Sequence, residues 1–258
     1  PKAAEMFMGP MMNKALGALG GPQKLNVLGK TIDVQVSPTD ITFTSSGGLV
    51  TLDTMMLIEG TENSKGFIYT DNGMPTMDPG NGMQLGLADD LANEMLSQLV
   101  ATGLLNLSVP ANAGTFNSAS IAMTSPPMIS ADPSDGQMRL YLPDMMATFL
   151  MDGQPVGKAA INAKVDLKIV PANGNDYAVA IQLGTPTIEV DVLDDIQNQT
   201  RFTDDDLSTA VKLSLDSQIA TISALLGSIP LPQMAGLQMK DLSITSQDGY
   251  VMMKGTLQ

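Results

Sequence analysis

The sequence predicts an α+β protein in which a strongly curled antiparallel sheet wraps around long amphipathic helices. Three observations carry this expectation. Over 104–193 apolar and polar residues alternate in twos, as in strands with one buried and one wet face, the pattern of an antiparallel sheet. Turn chemistry interrupts the alternation at Pro126-Pro127, Asp135-Gly136, Asp152-Gly153 and Asn173-Gly174. Outside it, Leu87, Leu91, Met95 and Leu99 form one apolar stripe at helical spacing, and Leu207, Val211, Leu215, Ile219, Ile222 and Leu226 form another.

In chain order, Met8, Met12, Leu16 and Leu19 suggest a first helix over 3–19, kinked or delayed by Gly9-Pro10 and stopped by Gly20-Gly21-Pro22. The chain opens PKAAEMF, with neither Met nor a signal peptide, and reads as a processed segment. Two alternating runs follow, TIDVQV through Ile32, Val34 and Val36 and ITFT through Ile41 and Phe43. Gly47-Gly48 then turns into a hairpin partner, LVTLDTMMLIEG. Residues 70–82 are rich in Gly, Pro, Asn and Asp and read as a loop; the oxygen-rich side chains lack the spacing and closing Glu of a calcium loop. A second helix is expected over 86–103, with Asp89 and Asp90 in its first turn, where the helix dipole favours negative charge, and Gly103 as its stop. The third, over 203–227, presents the six-residue stripe. Pro230 and Pro232 then turn the chain into a closing hairpin reversed at Asp248-Gly249.

Composition narrows the chemistry. The chain has 258 residues, 27 acidic against 13 basic, for a net charge of −14. That leaves no basic footprint for nucleic acid or for anionic membranes. There is no histidine and no cysteine, so imidazole relays, thiol nucleophiles, disulfides and thiolate metal sites are all ruled out. Asp144, Asp152 and Asp248 are the candidate carboxylates, but no spacing pairs them, and the expectation is a protein that is not an enzyme and holds no cofactor or metal. The core is short of aromatics, with no Trp, six Phe and four Tyr, and rich in Met, with 20. Methionine fills irregular apolar space, which suits either an ordinary core or a greasy cavity.

Two motifs resemble a known family. MQLGLADDLANEMLSQLVATGLLNLSV is similar to the segment that opens the C-terminal barrel of the bactericidal/permeability-increasing protein family. A strand ending Leu85-Gly86-Leu87-Ala88 leads there into a helix that leaves through Ala101-Thr102-Gly103-Leu104-Leu105. The family's closing element, a long helix, a Pro-Leu-Pro turn and a final hairpin, is matched by Ser228-Ile229-Pro230-Leu231-Pro232 and 242–257. On these motifs the chain resembles a tubular lipid-binding (TULIP) domain over 83–258, of a bacterial kind. The resemblance implies an N-terminal helix with central-sheet or pairing strands at 1–60 and a barrel at 61–258, or one continuous domain.

By function, the resemblance implies non-enzymatic binding or transfer of a lipid or other long hydrophobic molecule in an apolar groove between helices and sheet. The lining residues would be Leu91, Met95, Leu99, Leu215, Ile219, Ile222 and Leu226. Its partners would be that ligand, a transient membrane contact, and a second barrel or a second copy of the chain. Its place would be the periplasm, the outer membrane or the exterior. The family's animal members bind lipopolysaccharide through exposed cations, a route not expected of a chain with net charge −14. The alternative is a structural or assembly module with the same fold, a filled core and a protein partner.

Overall fold

The computed structural model describes residues 23–27, 30–44, 47–61, 64, 66–69, 72–78, 82–103, 105–110, 116–131, 138–172, 175–194, 229–230 and 239–257. These form three antiparallel sheets and one helix. The first sheet orders β1 (Gln23–Val27), β2 (Lys30–Thr44) and β3 (Gly47–Ile58). The second is built on two long neighbours, β8 (Met138–Met151) and β9 (Gln154–Ala172). Around them lie β5 (Leu107–Pro110), β6 (Ser118–Met123), β7 (Met128–Ser130), β10 (Asn175–Leu183), β11 (Thr187–Asp194) and the short β12 (Ile229–Pro230). The third joins the closing hairpin, β13 (Met239–Gln247) and β14 (Tyr250–Leu257), to β4 (Met83–Ala88). β4 runs directly into helix α1 (Asp89–Ala101).

The expected sheet wrapped around long helices is corrected by this architecture. Among the described residues the only helix is α1, of 13 residues, and strand dominates the rest. The helices expected over 3–19 and 203–227 lie outside the described residues. The reason the sequence understated the strands is visible in β2 and β8. In β2 the apolar positions are even at Ile32, Val34 and Val36 and odd at Ile41, a slip of phase that suggests two strands. The structure instead keeps one strand and inserts a bulge between Pro38 and Asp40, so that Ile41 still sits on the Val36 face opposite Val50. β8 does the same. Met138, Leu140 and Leu142 are even, Met145, Ala147 and Phe149 are odd, and a bulge lies between Leu142 and Met145. Pro143 sits in that bulge, where a missing N–H breaks no ladder, and Asp144 takes φ 47° beside it. The Asp144 amide donates to Asn162 Oδ1 at 2.9 Å.

The β8 bulge divides the large sheet. β6 pairs with β8 on one side of it and β7 on the other, while β9 exchanges β11 for β10 at almost the same level. Below the division a core cluster comprises Phe116, Ala119, Ile121, Met145, Ala147, Phe149, Val156, Ala159, Ile161, Ala163 and Val190. Apart from Phe116 and the bulged Val156, these come from one face of one sheet, so the sheet curls over its own apolar face. Above the division Ala131, Met138 and Leu167 meet Val251 of the closing hairpin. The hairpin reverses at Asp248-Gly249, as the sequence predicts, with φ of 47° and 81°, the pair of left-handed residues that a two-residue hairpin turn requires.

Candidate functional site

The strongest candidate site is the inward face of the curled sheet. Along β9 every odd position from Ala159 to Leu167 is buried, while Lys158, Lys164, Asp166 and Lys168 point to solvent. Pairing extends each inward position into a row. Met123, Met145, Ile161 and Val190 form one row, and Ile121, Ala147, Ala159 and Val192 the next; Leu142, Ala163 and Ile188 form a third. At about 3.4 Å per residue, the strip from Ala159 to Ile169 is about 34 Å long, and it carries no charged side chain. Small residues at one end, Ala147 and Ala159, lie beside Met145 and Ile161. Its floor is closed to water, with Met145, Ala147, Ala159 and Ile161 all at 0% exposure. Its rim is not: Met123, Leu142, Met151, Ile188 and Val192 are only partly buried.

Of the expected lining residues, Met95 and Leu99 come together, but elsewhere. Leu99 is buried against Ile32 and Ile58 of the first sheet, with Met95 packed beside them. Leu91 is half-buried and stands outside that cluster. Leu215, Ile219, Ile222 and Leu226 lie outside the described residues. The described part of the expected groove is therefore the seam between α1 and the β2–β3 hairpin, separate from the curled face.

The buried side of α1 was missed by the sequence reading because it is polar. Asp89, Asn93 and Ser97 follow at i, i+4 and i+8, and all three are buried, as is Gln98. Each closes backbone groups of another element. Asp89 accepts from the Ala131 amide at 3.0 Å and from Asn72 Nδ2 at 2.8 Å. Asn93 clamps Ile129 of β7 through both its oxygen (2.6 Å) and its nitrogen (3.1 Å). Ser97 donates to the Gly66 carbonyl. Gln98 accepts from the Ile58 amide and donates to the Met56 carbonyl, each at 2.6 Å. The i+4 polar spacing was the available signal.

The candidate carboxylates have local backbone roles. Asp144, Asp152 and Asp248 all have φ between 47° and 53°. They occupy a bulge and two hairpin turns, where Asp tolerates the left-handed region, and they do not converge. Glu94 on α1 has a perturbed carboxyl: burial, and then neighbouring Asp53 of β3, raise it above its ordinary value. Among the described residues no group of three or more acidic side chains could hold a metal ion, and no helix is long and apolar enough to cross a membrane.

No protein-family model and no curated protein matches the sequence. Among solved structures, the chain is similar to lipopolysaccharide binding protein, at 15% identity and TM-score 0.46, over 92% of this chain and 56% of that one. It is also similar to P47 of Clostridium botulinum E1, at 9% identity and TM-score 0.31 over 89% of this chain and 80% of that chain. P47 from Clostridium botulinum A2 matches at 14% and 0.26, over 54% of this chain and 32% of that one. The chain thus spans just over half the length of the lipopolysaccharide binding protein it matches. Identities this low, with TM-scores below 0.5, say nothing about what the chain binds.

Proposed function

We propose that the chain binds a lipid or another long apolar molecule on the inward face of its curled sheet, without acting on it chemically. The observation that carries this reading is the charge-free strip of about 34 Å along β9, bordered by Met123, Met145 and Met151. Its upper end, at Leu167 and Ile169, packs with the closing hairpin; the remainder from Ala159 to Val165 is about 20 Å long, enough for one acyl chain, since half the thickness of a bilayer's hydrocarbon core is about 15 Å. Each CH₂ withdrawn from water contributes about 0.8 kcal/mol, which makes useful affinity attainable with no polar anchor. Flexible methionines adapt to ligands of different shape. Since the floor is filled, a ligand would enter at the rim formed by Met123, Met151, Ile188 and Val192.

The chain contains no Trp, so Met151→Trp gives a single fluorescent reporter at that rim. The expected result is quenching by a brominated fatty acid and co-purification of an extractable lipid in native mass spectrometry. A protein that carries no extractable ligand and shows no quenching with fatty acids or phospholipids refutes the proposal. A second reading, an assembly module with a filled core, is favoured by one observation: the 0% exposure of Met145, Ala147, Ala159 and Ile161. It predicts the negative result in both measurements.

A further inference from the structure

The first sheet ends on β3, and that edge is open along its middle. In an antiparallel pair the backbone groups of alternate residues point away from the partner. Gln98 bonds the Met56 carbonyl and the Ile58 amide on that outer side, so the even-numbered residues of β3 are the outward ones. Among the described residues, no hydrogen bond meets the outward groups of Val50, Leu52 or Thr54. β3 also lacks the usual edge protection. It has no proline, no lysine and one charge, Asp53, and the bulge in this hairpin falls on β2. Large apolar side chains stand exposed on both faces: Ile41 at 42%, Met55 at 56% and Leu57 at 40%.

We propose that β3 pairs antiparallel with β3 of a second copy of this chain, joining two three-stranded sheets into one of six strands. An extended strand is the only element that can meet a row of alternating outward N–H and C=O groups. Self-complementarity selects the copy. The outward residues must form the hydrogen-bonded pairs, and centring the two-fold axis on Leu52 sets Val50 opposite Thr54 of the partner. It also sets Asp53 opposite the partner's Thr51, a hydroxyl donor for its carboxylate, and Met55 opposite the partner's Leu49, which covers the most exposed large apolar side chain of the strand. Centring on Asp53 would put two carboxylates face to face, which destabilises a pair. Centring on Thr51 would put Asp53 against Leu49 and leave Met55 opposite Gly47. At Met56 the ladder stops on both copies, because Gln98 already holds that carbonyl. The proposal does not depend on the ligand reading.

The test uses the full chain in sedimentation velocity across a dilution series. The expected result is a monomer–dimer equilibrium that shifts toward dimer with added salt, because each copy carries a net charge of −14. Thr54→Pro removes an outward N–H and no bond of the β2–β3 ladder, so it should give monomer with unchanged circular dichroism. Because the chain has no cysteine, Leu52→Cys should oxidise to a covalent dimer, the two Cα atoms falling within disulfide reach. Met55→Cys should cross-link only when mixed with Leu49→Cys. A wild-type chain that stays monomeric, with Leu52→Cys forming no more covalent dimer than Met55→Cys alone, overturns the proposal. So does a dimer that survives Thr54→Pro, or capture of a different protein by Leu52→Cys in place of a second copy.

Discussion

Replacing Gln98 by Leu tests whether α1 is held by its polar side or by its apolar stripe. The Gln98 side chain is buried and holds two backbone groups of β3, the Ile58 amide and the Met56 carbonyl, at 2.6 Å each. Leucine keeps most of the volume, so cavity formation contributes little and the orphaned polar groups dominate. The Thr61 hydroxyl, bonded to both the Ile58 carbonyl at 2.5 Å and Gln98 Oε1 at 3.0 Å, keeps the first bond in the variant and loses the second. Each buried backbone group left without a partner costs about 1–3 kcal/mol, which makes about 4 kcal/mol for the pair. For a chain of this size that corresponds to a fall in Tm of about 8–16 °C.

Urea denaturation should show the midpoint falling with an unchanged slope, and the Ile58 amide should lose its protection from hydrogen exchange. Leu91→Ala is the companion. Leu91 is half-buried and outside the cluster around Leu99, so its truncation should cost about 1 kcal/mol, below the range for fully buried leucines. If Leu91→Ala costs more than Gln98→Leu, or Gln98→Leu lies within about 0.5 kcal/mol of wild type, the polar side does not hold the helix.

Two further outcomes follow from named contacts. Glu94 has a folded-state value raised by burial and by Asp53, so the folded state binds more protons than the unfolded one between the two values, and stability falls as pH rises through that window. Glu94→Gln should therefore match wild type below about pH 4 and be the more stable protein at neutral pH; a difference that does not change with pH in thermal melts contradicts this. Gly249 has φ 81°, and a Cβ there would lie 2.2 Å from Asn72 Cγ. Gly249→Ala should cost about 3–5 kcal/mol from left-handed strain and from loss of the Asn72 bond to Asp89, with less than additive cost in the double variant with Asn72→Ala; additive costs in urea melts would show the two sites to be uncoupled.

Turns and strand faces were legible in the sequence because they depend on neighbours along the chain. Asp152-Gly153 and Asp248-Gly249 specify hairpins locally, and the alternation of Ala159, Ile161, Ala163, Val165 and Leu167 with outward Lys and Asp marks the buried face of β9. Strand lengths were not legible. A phase slip at a proline reads locally as an end, yet at Pro38 and Pro143 the partner strand supplies pairing on both sides of the slip and the chain bulges instead. The apolar stripe of α1 misled for a related reason. Helical periodicity shows that a helix has two unlike sides, and the usual assumption is that the apolar side is buried. Here both sides meet protein, and the polar one is covered more completely.

That arrangement follows from the topology. β7 is three residues long and pairs with β8 alone, and β3 ends its sheet, so both leave backbone groups pointing at α1. Buried groups of this kind need partners, and an apolar helix surface offers none. The stripe of Asp89, Asn93 and Ser97 with Gln98 supplies them from fixed positions along the helix, from Ala131 and Ile129 at one end to Met56 and Ile58 at the other. The helix therefore ties the curled sheet to the N-terminal hairpin by side chains that bond main chain. A hydrophobic helix in the same place would pack against Ile32 and Ile58 and still leave both strand edges unsatisfied. This is why the residues that decide how α1 is seated are those that an apolar-stripe reading sets aside as solvent-facing.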